Sequence, residues 1–107
     1  MVGGEGVLLR LVREIVSSLS GDELRAYLVF LKEVSVGDIL ALELLRGAGV
    51  GNPKATVEKL VRGGWLERGH GCVSLSRDVR EALASTGLDV VVAGRKLAKM
   101  VSRVVGR

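Results

Sequence analysis

The sequence predicts a mainly α-helical fold with one small β-hairpin. Apolar residues recur at helical spacing in several segments, and capping residues precede most of these segments. A single pair of short strand-like runs is joined by a glycine-rich loop. The 107 residues are enough for one domain, 1–107, with a small core. Because only one Trp, one Tyr and one Phe are present, that core must consist mainly of aliphatic side chains.

Additional helices are predicted at both ends of the chain. An N-terminal helix is expected at 7–19, and C-terminal helices are expected at 77–85 and 88–105, within a C-terminal region of 77–105. The apolar stripe of the first helix consists of Leu8, Val12, Ile15 and Leu19. Spacings of three and four residues are typical of a helix with one buried side, so these helices are expected to cover the core or to pair with a second copy.

Two further helices are predicted between these ends. Ser20 and Glu23 have capping-box spacing, which predicts a helix that runs to about Glu33. Ser35 gives a related start signal for a helix at 36–46, which glycines then terminate. The candidates for the buried face of this helix are Ile39, Leu40, Leu42 and Leu45.

The helix at 53–62 has the clearest start signal. Asn52 is a good N-cap, and Pro53 at the first helical position has no N–H group to leave unpaired. The predicted inward residues are Val57, Leu60 and Val61, and the predicted outward residues are Lys54, Glu58 and Arg62. The outward residues are spaced for salt bridges along the helix, so a self-paired, solvated stripe is the simple alternative to a binding face.

A short hairpin follows this helix directly. Strands are predicted at 65–67 and 72–75, joined by the loop at 68–71, whose two glycines suit a tight turn. Arg68 and His70 lie in this loop and are available to a ligand. Trp65 is expected to support the core, and Cys72 is expected to be a small buried residue.

The helix and hairpin together predict a DNA-binding surface. A helix that enters the major groove presents short or polar side chains near its N-terminus and buries its opposite side. The candidate DNA-binding residues are Asn52, Lys54, Thr56, Lys59, Arg62, Arg68 and His70. Double-stranded DNA is therefore the expected partner, and no cofactor is expected.

Residues 22–75 resemble the winged helix-turn-helix superfamily in the order of their elements. The most specific piece is VEKLVRGGWLERGHGCVSLS, in which a helix is followed by Gly-Gly and a glycine-tipped hairpin. The resemblance implies a three-helix core plus a two-stranded β-wing, with extra N- and C-terminal helices, and DNA binding by the helix at 53–62. More loosely, the chain resembles small stand-alone winged-helix proteins of crenarchaea. That resemblance implies a role in transcription regulation, in DNA architecture or in a replication complex.

The charge distribution also favours a polyanionic partner. Residues 1–45 hold four basic and seven acidic residues, a net −3, whereas residues 46–107 hold twelve and five, a net +7. An uneven distribution suggests a basic binding face, although a solvated, salt-bridged surface gives the same counts. The absence of Gln, with Asn52 as the only Asn, favours a thermophilic source.

Other classes of function find little support in the sequence. The chain has one cysteine, which excludes a multi-cysteine metal site, and its one histidine has no carboxylate nearby in the sequence that would make it a catalytic base, so no enzyme activity is expected. Apolar runs are too short to span a bilayer and no signal peptide is evident, so a cytoplasmic protein is expected.

Two questions about partners stay open at this level. The apolar fraction of 48% is high for so small a chain, which predicts a homodimer through the terminal helices. The alternative to DNA binding is a protein–protein adaptor, or an accessory subunit of a replication or transcription complex, in which the basic half docks an acidic partner.

Overall fold

Six helices and three short strands form the described part of the chain, residues 3–106 of a computed structural model. In chain order they are α1 (Gly3–Ser18), α2 (Gly21–Glu33), β1 (Ser35–Gly37), α3 (Asp38–Gly47), α4 (Pro53–Arg62), β2 (Leu66–Arg68), β3 (Cys72–Leu75), α5 (Arg77–Ala84) and α6 (Val90–Val105). The predicted mainly helical class is confirmed, and the small β component is a three-stranded antiparallel sheet.

Helix α4 occupies the predicted range, whereas other boundaries differ. The N-terminal helix begins at Gly3, not at residue 7, and ends one residue early. Helix α6 begins at Val90, because the Asp89 carboxylate accepts hydrogen bonds from the backbone N–H groups of Val91 and Val92 at 3.0 and 3.4 Å. A carboxylate in this position satisfies N–H groups that have no partner inside the helix.

The predicted serine caps of α2 and α3 were wrong in detail. Ser20 stands at the N-cap position of α2, but its side chain makes no capping hydrogen bond. Ser35 is not a helix start at all, since it belongs to β1, and Gly37 is the N-cap of α3. The predicted helix at 36–46 therefore begins two residues later, at Asp38.

Strand β1 is the element that the sequence did not predict. It pairs with β3 in the order β1-β3-β2, with Val36 opposite Val73. Both valines are buried, so the third strand adds apolar contact as well as backbone hydrogen bonds. The chain enters β1 through Val34, whose φ of 66° is uncommon for a β-branched residue. The Val34 N–H donates to the carbonyl of Phe30 at 2.7 Å, and its own carbonyl accepts from the Leu75 N–H at 2.9 Å.

Helix α2 lies at the centre of the core. Its residues Ala26, Tyr27, Phe30 and Leu31 are fully buried, and it contacts α3, α4, α6 and the sheet. The Tyr27 ring packs edge-on against Trp65, with ring centroids 5.2 Å apart and planes at 72°. This geometry is favourable for an aromatic pair and fixes α2 against the start of the hairpin.

Helix α6 packs closely on α2 because Gly94 has no side chain. A Cβ atom at this position would overlap the carbonyl oxygen of Leu31. Ala93, Leu97 and Val101 continue the buried face of α6 on both sides of Gly94. The position thus requires glycine for close approach, even though glycine is a poor helix former.

Within residues 3–106, no helix is both long enough and apolar enough to cross a membrane.

We expect Gly94→Ala to destabilise the protein by roughly 1–3 kcal/mol, because the added methyl group meets backbone that cannot move independently. The control is Gly6→Ala in α1, where a Cβ would meet nothing within 4 Å. This substitution is expected to increase the free energy of unfolding by no more than about 1 kcal/mol, because alanine is the better helix former. Denaturant-induced unfolding of both variants measures the difference. Equal effects of the two substitutions would contradict the proposed close contact.

We expect Tyr27→Phe to leave the free energy of unfolding unchanged or slightly higher at neutral pH. The Tyr27 hydroxyl is buried and has no hydrogen-bond partner among the described residues, so the substitution breaks no bond. Tyr27→Leu, which also removes the ring contact with Trp65, is expected to destabilise by about 1 kcal/mol or more.

The Tyr27→Phe substitution also isolates the effect of pH on stability. Burial raises the pKa of Tyr27 above its ordinary value, so the folded state favours the protonated phenol. Stability from this preference is fully present below a pH of about 10, where the unfolded phenol ionises, and is lost as the pH rises further. Unfolding measured at neutral and at alkaline pH should therefore show a steeper alkaline loss in the wild type than in Tyr27→Phe. Parallel pH profiles would refute this.

Candidate functional site

Asn52 and Thr56, two of the predicted DNA-binding residues, lie at the start of α4. The Asn52 Oδ1 atom accepts a hydrogen bond from the Ala55 N–H at 3.2 Å, as predicted for an N-cap. The Thr56 hydroxyl donates to the Asn52 carbonyl at 2.9 Å, and only 7% of Thr56 is exposed. Thr56 therefore does not share the exposed surface with the other candidates, and the Asn52 side chain is engaged in the cap.

The cations of α4 lie in two different environments. Lys54 and Arg62 are exposed, and neither has an ion-pair partner within residues 3–106. The Lys59 Nζ atom, in contrast, lies 3.4 Å from a carboxylate oxygen of Glu23 on α2. One of the three exposed cations on this helix thus faces an opposite charge from a neighbouring helix.

Glu58 is neutralised from the hairpin and not from its own helix. The spacing of Lys54, Glu58 and Arg62 suggested pairing along α4, but the Arg68 guanidinium donates to Glu58 at 2.7 Å. A second nitrogen of Arg68 lies 3.9 Å from Asp38 at the start of α3. Arg68 therefore links α3, α4 and β2, and two carboxylates reduce its positive charge toward a ligand.

The hairpin tip is smaller than predicted. Arg68 belongs to strand β2, so the turn proper comprises Gly69, His70 and Gly71. The Gly69 N–H donates to the Cys72 carbonyl at 2.9 Å, and the Asp38 N–H donates to the Gly71 carbonyl at 2.9 Å. His70 is exposed at this tip. The hydrogen bond between Asp38 and Gly71 ties the tip to the start of α3. Cys72, which was predicted to be buried, is only partly buried.

The surface around α4 and the hairpin carries both signs of charge in equal numbers. A groove of about 740 Å³ separates α4 from the start of α2, and a second cavity of about 230 Å³ lies between α3, α4 and the hairpin. The charged residues that line the two are Asp22, Glu23, Asp38, Glu58, Lys54, Lys59, Arg62 and Arg68. Four carboxylates and four cations line the two cavities, and Asp22 is also paired with Arg25, so this surface has little net charge and a weak potential for steering a polyanion.

An exposed apolar pair lies beside the hairpin tip. Ile39 is 78% exposed and Leu40 is 52% exposed, although both were candidates for the buried face of the third helix. That prediction was wrong for these two residues, because α3 begins at Asp38 and turns Ala41 and Leu45 toward the core. A shallow groove of about 420 Å³ is lined by Gly37, Asp38, Ile39, Leu40 and Gly71. We call Ile39 and Leu40 the α3 apolar pair.

The described residues contain no group of three or more His, Cys, Asp or Glu side chains that could hold a metal ion.

Comparison with known proteins identifies a family. A family model described as PolB1 Binding Protein 2 matches residues 20–81, more than half of the 107 residues. The chain therefore belongs to the PolB1 Binding Protein 2 family. The match begins just before α2 and ends within α5, so it includes the α3 apolar pair, α4 and the hairpin. No curated protein and no solved structure matches the chain.

We expect a double-mutant cycle on Glu58→Ala and Arg68→Ala to give a coupling energy of no more than about 1 kcal/mol, because both side chains are more than two-fifths exposed and solvent screens the pair. The matched control is the pair Arg77 and Glu81, 3.3 Å apart on the surface of α5, for which about 0.3–0.5 kcal/mol is expected. Unfolding at low and high salt measures both couplings. A coupling that does not fall with salt would contradict an exposed pair.

Proposed function

We propose that this member of the PolB1 Binding Protein 2 family is a non-enzymatic accessory subunit that binds polymerase B1 through the α3 apolar pair. The family's name describes a protein that binds PolB1. The observation that carries the proposal is the exposure of Ile39 and Leu40 next to the hairpin tip. This proposal takes the adaptor alternative over the expected binding of DNA.

The location of the pair within the family match supports this choice of surface. Among residues 3–106, the other large apolar residues with exposed side chains all lie outside residues 20–81; they are Leu9, Leu88, Val91, Val92, Val104 and Val105. A surface used by the whole family is expected within the matched segment. Full burial of an aliphatic side chain of this size contributes roughly 1.5–3 kcal/mol. The two residues can therefore serve as anchors within a larger contact.

The surroundings of the pair also fit a protein interface. Specific interfaces combine an apolar centre with a polar rim. Here the rim consists of Asp38, Arg68 and Glu58, which are held together by the ion pairs of Arg68. Gly37 and Gly71 line the same groove and leave room for a partner side chain to approach the backbone.

The element order supports a winged helix as the scaffold for this contact. We propose that residues 22–75 form a winged-helix core within a single domain, and that α1, α5 and α6 cover it. Helices α2, α3 and α4 followed by the β2–β3 hairpin reproduce the order on which the resemblance rested. In this proposal the scaffold presents the start of α3 and the hairpin to a protein instead of placing α4 in the major groove.

Duplex binding by α4 is the second candidate function. Exposed Lys54 and Arg62, which have no carboxylate partner within residues 3–106, favour it. The carboxylates beside Lys59 and Arg68 oppose it, because they reduce the charge available to phosphates. A homodimer through the terminal helices also stays a prediction. A groove of about 570 Å³ lined by Val12, Val16 and Val104, among others, supports it.

The decisive experiment changes the α3 apolar pair. We expect Ile39→Ser with Leu40→Ser to raise the Kd for purified PolB1 at least tenfold, which corresponds to about 1.4 kcal/mol. The control is Val91→Ser with Val92→Ser, which changes two exposed apolar residues in the first turn of α6, outside the family match. The control should bind PolB1 within about threefold of the wild type. Calorimetry measures binding, and thermal unfolding verifies the fold.

Unchanged PolB1 affinity in the serine variant of α3, or an equal loss in the α6 control, would overturn the proposed docking surface. The second candidate predicts a different result, in which PolB1 binding depends on added DNA and on Lys54 and Arg62.

A further inference from the structure

Helix α6 carries positive charge without any acidic residue. Arg95, Lys96, Lys99 and Arg103 lie between Val90 and Val105, and the same segment contains no Asp or Glu. Lys96 lies 3.9 Å from Glu5 on α1. This helix therefore supplies much of the net positive charge of the C-terminal half, at a distance in sequence from α4 and the hairpin.

Two of these cations meet a third at the end of α2. Lys32, Arg95 and Lys99, together with Glu33, line a groove of about 250 Å³, which we call the basic groove. The Arg95 Nε–H donates to the Lys32 carbonyl at 3.4 Å, near the C-terminal end of α2, where the helix dipole favours a cation. Within residues 3–106 none of the three cations has an ion-pair partner. The groove thus has a net charge of +2 on exposed side chains.

The packing of α6 holds this groove in place. Gly94 lets α6 approach the Leu31 carbonyl, and Arg95 and Lys32 are the next residues on the two helices. Leu97 and Ala98, which lie between the exposed positions 95 and 99, are buried. Because the helix is fixed on α2, a ligand at the basic groove orders only the ends of long side chains and not the backbone.

The contrast with the α4 surface decides where a polyanion would bind. Around α4 and the hairpin, four cations face four carboxylates, and Lys59 and Arg68 are engaged in ion pairs. At the basic groove, three cations share a single carboxylate, Glu33. Phosphate contacts require cations whose charge is not already compensated.

The class of polyanion is inferred from two features that are missing at the basic groove, namely an apolar anchor and an exposed aromatic ring. The lining residues of the groove are all charged, and the apolar surface among them comes from the stems of these long side chains, not from an aliphatic or aromatic anchor of the kind on which protein interfaces depend. Single-stranded nucleic acid is bound largely by stacking on exposed aromatic rings. Tyr27 and Phe30 are fully buried, and Trp65 is half-buried against Tyr27, so the chain offers no such surface. A regular array of phosphates on a duplex needs neither feature.

We propose that the basic groove of Lys32, Arg95 and Lys99 binds the phosphate backbone of duplex DNA without reading its sequence. This site differs from the predicted recognition helix and from the proposed docking surface for PolB1. One chain would then contact a protein with the start of α3 and a duplex with α6 and the end of α2.

The test removes the same number of charges from two surfaces. The groove variant carries Lys32→Gln, Arg95→Gln and Lys99→Gln, and the control carries Lys54→Gln, Lys59→Gln and Arg62→Gln on α4. Fluorescence anisotropy with a labelled random-sequence duplex is measured between roughly 50 and 200 mM salt. We expect the groove variant to lose at least tenfold in affinity at low salt, and its salt slope to fall by about 2–3, or about 0.9 for each lost phosphate contact. The control is expected to stay within about threefold of the wild type.

Further measurements keep the result interpretable. The double variant K32Q/K99Q retains the Arg95 contact with α2 and should show an intermediate loss, which separates charge removal from damage to the fold. Poly-glutamate should compete with the duplex poorly at equal charge concentration. The affinity of the groove variant for PolB1 should equal that of the wild type. Loss of duplex binding and loss of PolB1 binding are therefore measured separately, and either proposal can be refuted without the other.

The proposal is overturned if the wild type binds no duplex at low salt, if the α4 control loses as much affinity as the groove variant, or if poly-glutamate displaces the duplex as well as unlabelled duplex does.

Discussion

The close contact between Gly94 and the Leu31 carbonyl is the constraint on which the arrangement of the helices depends. It brings the backbone of α6 against α2, whose buried side chains also contact α3, α4 and the sheet. Dispersion forces and apolar burial depend steeply on distance, so a helix held one methyl group farther away would open the interior along its whole length. The same contact sets Arg95 beside Lys32, which connects core packing to the charge of the surface.

Charge pairing around α4 follows from how the hairpin folds back on the helices. Strand β2 brings Arg68 within reach of Glu58 and Asp38, and α2 brings Glu23 to Lys59. Each pair is at least partly exposed and contributes little to stability, but each reduces the field that the surface presents to an anion. A helix with the sequence of a phosphate-contacting element thus becomes part of a nearly neutral, polar rim.

Sequence patterns predicted the elements that have strong local signals. Asn52 and Pro53 located α4 correctly, and the glycines of the hairpin located its turn. Strand β1 was missed for two reasons. It has only three residues. It also follows a turn in which Val34 adopts a positive φ, a conformation that a sequence usually signals with glycine or asparagine. The buried face of α3 was predicted only in part, because Leu45 is buried whereas Ile39 and Leu40 are exposed. Four apolar residues in a short helix fit more than one face, and the tertiary contacts select Ala41 and Leu45. The candidate binding residues were found by type and spacing, but the carboxylates that face them come from distant segments, which no local pattern reveals.

Membership in a family of PolB1-binding proteins and a basic last helix are compatible because they concern different parts of the chain. The family match ends at residue 81, whereas Arg95 and Lys99 lie beyond it on α6. An accessory subunit that contacted only the polymerase would not increase the affinity of the complex for DNA. A subunit that contacted only DNA would not remain bound to the polymerase. Phosphate contacts that do not read the sequence allow a protein to slide along DNA, whereas apolar contacts are less sensitive to salt. If both proposed sites operate, a chain that separates them on different helices keeps its protein partner while the duplex moves.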